Sequence, residues 1–329
     1  MSTTSLAPPR ADESQPESLA PRGSHLWGGR VFAGLAHGSG IGILLVLAAV
    51  AVFLVVRAWP ALTADAAELQ EISWFRAESL LDYVGPLVFG TVLASILALV
   101  MAVPVSVGIA LFISHYAPRR LAQGLGYLVD LLAAIPSVVY GLWGALWLVG
   151  VLDPVMRWLS SALGFVPLFA GYQAPAKNVL TAAVVLAVMI LPIITAVSRE
   201  VFLQTPRLHE EAALALGATR WEMVRMAVLP FGRSGVISAS MLGLGRALGE
   251  TMAVLMVLSP GLLYSFFLLQ PGQHQTIAAN IAAQFPEASG LSVSVLIATG
   301  LALFVITFAV NFVARAIVAR RKDFSGANG

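Results

Sequence analysis

The sequence predicts an all-α polytopic membrane protein with about six transmembrane helices and one helical cytoplasmic loop. Three observations predict it. Apolar residues make up 58% of the chain and charged residues only 11%, against roughly half and roughly a quarter in soluble domains. With a mean hydropathy of +0.86, that excess cannot all be hidden in a soluble core. The apolar residues also fall in runs of bilayer-crossing length, since ~20 residues at 1.5 Å rise span ~30 Å. Finally, Lys and Arg gather on alternate connecting segments, as orientation by positive charge requires.

Residues 1–29 are rich in Pro, Ser, Ala and charge (Pro8-Pro9, Pro16, Pro21) and read as a disordered cytoplasmic tail. The six-helix membrane portion is residues 30–319. The first span, about Leu35 to Val56, is too long and too deep in the chain for a secretory signal. Arg57, Trp59 and Pro60 mark its exit into a mostly acidic loop (Asp65, Glu68, Glu71, Glu78, Asp82), where Trp74 and Phe75 suit the interface.

The second span, about Val84 to Ile113, contains Pro86 and Pro104, tolerated where neighbours re-satisfy the freed carbonyls. His115-Tyr116-Ala117-Pro118-Arg119-Arg120 then turns the chain. The third span, about Leu125 to Val151, carries Asp130 near its cytoplasmic end, as a half-solvated structural carboxylate or a pathway group. Loop 152–178 leads to a fourth span, about Val179 to Val197. A polar segment, 199–230, precedes the fifth span, about Gly235 to Leu258. Loop 259–290 contains His274, read as a solvated loop histidine or a contact for an external partner. The sixth span, about Leu291 to Ile317, ends in a basic cytoplasmic tail, 320–329, with Arg320-Arg321-Lys322.

With both termini in the cytoplasm, inside segments hold 14 Lys and Arg and outside segments 4, a firm positive-inside bias. It places 199–230 in the cytoplasm. The pI near 9.1 comes from charges spread over short loops rather than a patch, so nucleic acid is not an expected partner. There are no cysteines, hence no disulfide or thiolate metal site. The only lysines, Lys177 and Lys322, lie outside any G-x-x-x-x-G-K-[ST] context, so the chain has no P-loop. Neither H-E-x-x-H nor G-x-S-x-G occurs.

Segment 199–230 has the pattern of a helix–turn–helix. Leu208, Ala212, Ala215 and Leu216 can line one side of its first helix, leaving Glu210 and Glu211 free to meet basic groups. Gly217 is placed to end that helix, and Pro230 to mark the next boundary. A hairpin lying on lipid is the competing reading.

Arg246 and Glu250 interrupt the apolar fifth span, and each charge at mid-bilayer costs about 2.5–3.5 kcal/mol on insertion scales. Their i, i+4 spacing puts them on one helical face with Gly243 and Ala253, while Gly245 and Gly249 form a G-x-x-x-G beside it. Arg246 can offer a planar, permanent charge to an oxyanion, with Glu250 neutralising it between turnovers. The alternative is a structural intrahelical ion pair.

Glu211-Ala212-Ala213, then Gly217, then Leu229-Pro230 resembles the EAA loop of ABC-importer permeases, onto which a separate ATPase subunit docks. Ala227 departs from that pattern, standing where a larger aliphatic is usual. LLAAIPSVVYGLWG (131–144) and GLGRALGETMAVLMV (243–257) resemble the C-type permease subunit of phosphate-specific (Pst) ABC importers, and the likeness runs from about residue 80 to the C-terminus. The resemblance implies a type I ABC-importer permease fold and a path for inorganic phosphate on which Arg246 and Glu250 lie. It implies a bacterial cytoplasmic (inner) membrane location, an A-type permease partner, an extracytoplasmic phosphate-binding protein and two ATP-binding subunits that hydrolyse ATP. This chain itself is expected to bind no cofactor. A permease for molybdate or sulfate is the nearest alternative. A proton-coupled secondary transporter would leave the Glu211-to-Pro230 spacing unexplained.

Overall fold

A computed structural model describes the backbone of residues 24–319 and the side chains of residue 29 and residues 31–316. Among the described residues the chain is helical and contains no strand. Among the described residues, those up to Val52 form one compact unit and those from Phe53 a second. The first unit holds the N-terminal part of helix α1 (Ser24–Thr63). That helix already includes residues 24–29, which were expected in the tail. The rest of that tail and the basic segment 320–329 lie outside the described residues.

Among the described residues six stretches are long and apolar enough to cross a membrane: Val31–Thr63, Leu80–Tyr116, Ser137–Leu163, Val179–Leu203, Arg220–Leu248 and Leu291–Ala316. The count matches the expected six, and two of the boundaries do not. The expected third span is split. Helix α4 (Arg119–Ala133) stops before Pro136, which has no N–H to continue it and drives Ile135 away from helical backbone. The crossing stretch is α5 (Ser137–Trp143), a π-turn at Gly144–Leu148 and α6 (Val149–Leu163). Half of the expected outer loop is therefore helix. The fifth span starts earlier and ends sooner than expected, as described below.

In the second unit, helix α2 (Ala66–Gln70) precedes α3 (Leu80–Leu111), whose N-cap Ser79 accepts from the Asp82 amide at 3.2 Å. The most enclosed element is α7 (Val179–Leu203), packed against α3, α4 and the long α10 (Leu229–Leu248). Ala94, Ala98 and Ala102 give α3 a shallow face for Leu186, Met189, Ile190 and Ile194 of α7. Small faces of this kind let membrane helices approach where no hydrophobic force distinguishes protein from lipid.

The close approach of α10 to α7 is made by Gly232, Gly235 and Gly243, where a Cβ would meet Phe202, Val201 and Ile194. Gly245 faces nothing within 4 Å. The Gly245/Gly249 pair expected to pack closely is not the pair used within this chain.

Loop 259–290 folds back on the bundle. The Gly261 amide donates to the His274 carbonyl and Leu263 to Gln273, both at 3.1 Å. Gly90 of α3 lies against the Gln275 carbonyl with no room for a Cβ. The Thr91 hydroxyl accepts from the Ile277 amide at 2.9 Å, which starts α12 (Ile277–Gln284), and α13 (Leu291–Ala319) follows. Asn178, the buried N-cap of α7, donates to the Leu269 carbonyl at 3.0 Å, tying down the same loop.

His274 is therefore not a solvated histidine. It is 1% exposed, hydrogen-bonded through Nε2 to the Ser265 carbonyl at 2.6 Å and stacked on Phe89. Burial pushes its pKa below the ordinary imidazole value, with the Ser265 bond opposing the shift. The sign of the pH effect follows. As pH falls through about 6.5, the unfolded chain takes up this proton before the folded one, so stability is intact above that value and declines below it. Thermal unfolding at pH 7.5 and 5.5 is expected to show a smaller acid loss for His274→Gln than for the wild type. Equal losses would mean that this histidine is not responsible.

Candidate functional site

The polar segment folds as a helix–turn–helix. Pro206 precedes helix α8 (Arg207–Ala215), and Gly217 follows it with φ of +85°, the left-handed backbone that glycine adopts without a Cβ clash. The Gly217 amide donates to Leu214 at 3.0 Å and the Ala218 amide to Ala213 at 3.2 Å, the paired Schellman closure of a helix C-terminus. The second helix, α9 (Arg220–Met223), opens with a capping box in which Thr219 and Glu222 satisfy each other's amides. The Thr219-x-x-Glu222 spacing was a legible signal that the sequence reading did not use.

Helix α9 does not stop at the expected boundary. It runs through a π-turn at Val224–Val228 directly into α10, with Pro230 inside the continuous stretch. Proline lacks an amide and its ring crowds the carbonyl four residues back. The wider turn just before it accommodates both defects.

Ala213 is the inward side of α8, packed with Ala110 and Leu111 of α3, Phe202 of α7 and Val224 and Val228. Leu208, Ala212, Ala215, Leu216 and Glu211 face outward, and Leu216 is 90% exposed. The expected apolar side thus exists and is uncovered, with Trp221 and Met226 exposed beside it. Glu210 differs from expectation. It is half-buried, and its Oε1 lies 3.4 Å from Nε2 of His115, in the π-turn (Phe112–Tyr116) that ends the α3 span. Ser114 Oγ sits 2.7 Å from His115 Nδ1. The tautomer consistent with both contacts donates from Nε2 to Glu210 and accepts the Ser114 hydroxyl at Nδ1. Of the two carboxylates expected to be free, only Glu211 is. Leu229 is half-buried and Pro230 exposed.

Arg246 and Glu250 do not share a helical face. Helix α10 ends at Leu248, Gly249 caps it, and α11 (Met252–Val257) begins after a break at Glu250-Thr251. Glu250 is 7% exposed and its Oε1 accepts from the Ala253 amide at 3.1 Å, so it caps α11. Arg246, half-buried in the last turn of α10, makes no ion pair among the described residues. The arrangement is a broken membrane helix with an unpaired guanidinium on one side of the break and a capping carboxylate at the other. Glycine's low helix propensity at Gly249 was the available signal for the break.

Helix α11 packs on α5, where a Cβ on Gly141 would come within 2.8 Å of the Ala253 Cα. The two sequence stretches 131–144 and 243–257 are thereby brought into contact. Tyr140, beside Gly141, donates to the Leu132 carbonyl at 2.9 Å and lies within electrostatic reach of Arg246. Asp130 is exposed on α4 and makes no ion pair among the described residues. No group of three His, Cys, Asp or Glu side chains that could hold a metal occurs among the described residues.

Residues 102–323 match the family model described as binding-protein-dependent transport system inner membrane component. The chain is 50% identical over 297 residues to the phosphate transport system permease protein PstC 2 of Mycobacterium tuberculosis, covering 88% of this chain and 91% of that one. It is 40% identical over 292 residues to the phosphate transport system permease protein PstC of Xylella fastidiosa, covering 84% and 89%. Among solved structures it is similar to a bacterial ABC transporter involved in import of the acidic polysaccharide alginate. That match has a TM-score of 0.59 and 16% identity over 90% of this chain and 99% of that one. A second is an inward-facing MetNI methionine ABC transporter, with a TM-score of 0.51 and 17% identity over 73% and 95%. At such identities the structural likeness speaks for the fold alone.

Proposed function

The chain belongs to the binding-protein-dependent transport inner membrane component family, among its PstC phosphate-transport permeases, and from that premise we propose that it lines half of the path by which an ATP-driven importer carries inorganic phosphate inward. It is a multi-pass membrane permease with the type I ABC-importer fold, and no enzyme itself; ATP is hydrolysed by partner ATPase subunits.

The positive-inside bias supports both termini in the cytoplasm of a bacterial inner membrane. The complex comprises an A-type permease of similar fold, two ATP-binding subunits and an extracytoplasmic phosphate-binding protein. This chain binds no cofactor.

The observation that carries the substrate assignment is Arg246. It is a half-buried guanidinium inside a spanning stretch, beside a helix break, with no carboxylate partner among the described residues. An unpaired charge among apolar helices is expensive, and a transient oxyanion supplies the missing partner in bidentate geometry. Glu250 holds the start of α11 and so sets the shape of the break.

One ATPase subunit docks on the exposed face of α8 through Leu208, Glu211, Ala212, Ala215 and Leu216. Motion of α8 then reaches α3 through the His115–Glu210 contact and the Ala213 packing. His115→Ala is expected to lower uptake a few-fold at unchanged ATPase binding, in keeping with one hydrogen bond worth about 1 kcal/mol. The exchange His115→Glu with Glu210→His is expected to recover most of it. If the double exchange is worse than either single variant, the contact is not the connection.

The assignment as a whole is tested by uptake of labelled phosphate into cells lacking this chain. Restoration of ATP-dependent uptake by the wild-type chain is the expected result. Restoration of molybdate or sulfate uptake instead would overturn the substrate and leave the permease.

A further inference from the structure

A second arginine has the same unpaired character as Arg246 and lies elsewhere. Arg199 is half-buried in the last turns of α7 and makes no ion pair among the described residues. Its Nε is enclosed and has no hydrogen-bond partner. The Ser198 and Thr195 hydroxyls, on residues 0% exposed, are also enclosed and also unpartnered. Residues 195, 198 and 199 fall at i, i+3 and i+4, on one face of the helix. Buried polar groups are ordinarily satisfied, and leaving one unpaired costs about 1–3 kcal/mol. Three together, all able to donate and none matched by a carboxylate, describe a site for an anion.

The position is equally specific. Gly243 of α10 meets Ile190 and Ile194 of α7, and Gly235 meets Val201. Arg199 therefore lies level with the residues just after Gly235, some nine residues nearer the α8 end than Arg246, or about 14 Å at 1.5 Å per residue. Helix α4 borders Arg199. Gly126 lies against the Arg199 guanidinium with no room for a Cβ, and Leu132, near its other end, receives the Tyr140 hydroxyl. The groups are closed in this conformation, and separation of α4 from α7 would open them.

We infer that Arg199, Ser198 and Thr195 form a second oxyanion station, on the cytoplasmic half of the path, that takes a tetrahedral phosphate after it leaves Arg246. The inference rests on the phosphate-permease reading. The headgroup of an anionic phospholipid offers the same oxyanion chemistry as the transported ion, and the test separates the two.

The complete importer, with its partner permease and ATPase subunits, is reconstituted in vesicles of phosphatidylcholine, then with phosphatidylglycerol added. The chain has no cysteine, so Ser198→Cys introduces a single thiol, read as a mass shift of this chain after exposure to a negatively charged methanethiosulfonate. The thiol is expected to react during ATP-driven turnover, and inorganic phosphate on the cytoplasmic side to slow that reaction about tenfold. Adding Arg199→Gln is expected to remove the protection. Independently of the thiol, Arg199→Gln is expected to cut uptake about tenfold, with Arg199→Lys retaining more because the charge stays.

Modification indifferent to phosphate, or normal uptake by Arg199→Gln, overturns the station. Loss of uptake that appears only when phosphatidylglycerol is present assigns the guanidinium to a lipid headgroup and overturns it too. Failure of the wild-type complex to carry any phosphate defeats the phosphate reading and the station with it, and is seen before any variant is made.

Discussion

Arg246→Gln is expected to abolish phosphate uptake while the chain still inserts and still recruits its partners. The physical basis is the absence of any competing use for the charge. Arg246 makes no ion pair among the described residues, and the carboxylate four residues on is engaged with the Ala253 amide. Removing it therefore breaks no internal bridge. It relieves a desolvation cost, so the fold has little to lose.

On the proposed reading, what is lost is a bidentate, charge-assisted contact to the passing ion. Each such hydrogen bond is worth roughly 1.5–3 kcal/mol, so a pair corresponds to about a hundredfold or more in rate. Arg246→Lys keeps the charge and gives up the fork, and is expected to fall between. Labelled phosphate uptake, with membrane levels checked by blotting, measures this. Normal transport by Arg246→Gln at normal membrane levels would make the residue structural. Were the residues instead an internal ion pair, Arg246→Gln with Glu250→Gln would transport better than either alone, and the capping role of Glu250 predicts that it does not.

The second large effect is expected at Gly217. Its φ of +85° closes α8 and aims the chain into α9. Any L-residue there meets a Cβ clash of about 1–2 kcal/mol, and a β-branched one more. No neighbouring atom crowds the position, so the penalty is in the backbone and is not relieved by repacking. Gly217→Val is expected to unwind the last turn of α8 and swing Leu216 and Ala215 off the exposed face. The ATPase subunit should then co-purify at about a tenth of the wild-type level, a loss on the order of 1.4 kcal/mol. Gly217→Asn is expected to be far milder, because asparagine visits the left-handed region readily. Equal binding by the valine and wild-type chains would mean that the turn does not position the docking face.

These two sites differ in how far they could be read in advance. At Gly217 the sequence carried the answer: a polar helical pattern followed by glycine predicts a helix stop, and the backbone there obeys a local steric rule. At Arg246 and Glu250 the residues were legible and their relation was not. An i, i+4 spacing implies a shared face only while the helix continues, and the Gly249-Glu250-Thr251 break removes that condition. Pro136 had the opposite history. Proline is tolerated in membrane helices, as Pro86 and Pro104 are inside α3, yet Pro136 ends one helix and starts another. Local chemistry is the same at all three. Whether neighbouring helices re-satisfy the freed carbonyl decides the outcome.

By itself the sequence determined the membrane class, the number of spans, and the stop at Gly217. Those depend on run length, charge distribution and allowed backbone angles, all of which are properties of a stretch of chain. Only the tertiary structure decided that Glu210 meets His115, 95 positions away, that His274 is enclosed against Phe89, and that Gly232, Gly235 and Gly243 are the glycines at which α10 approaches α7. It also decided that Gly126 of α4 lies against the Arg199 guanidinium. Each of these requires knowing which helix faces came together. In a bundle whose exterior solvent is as apolar as its interior, hydropathy marks which residues lie in the membrane and leaves their facing to the packing of small residues against large ones.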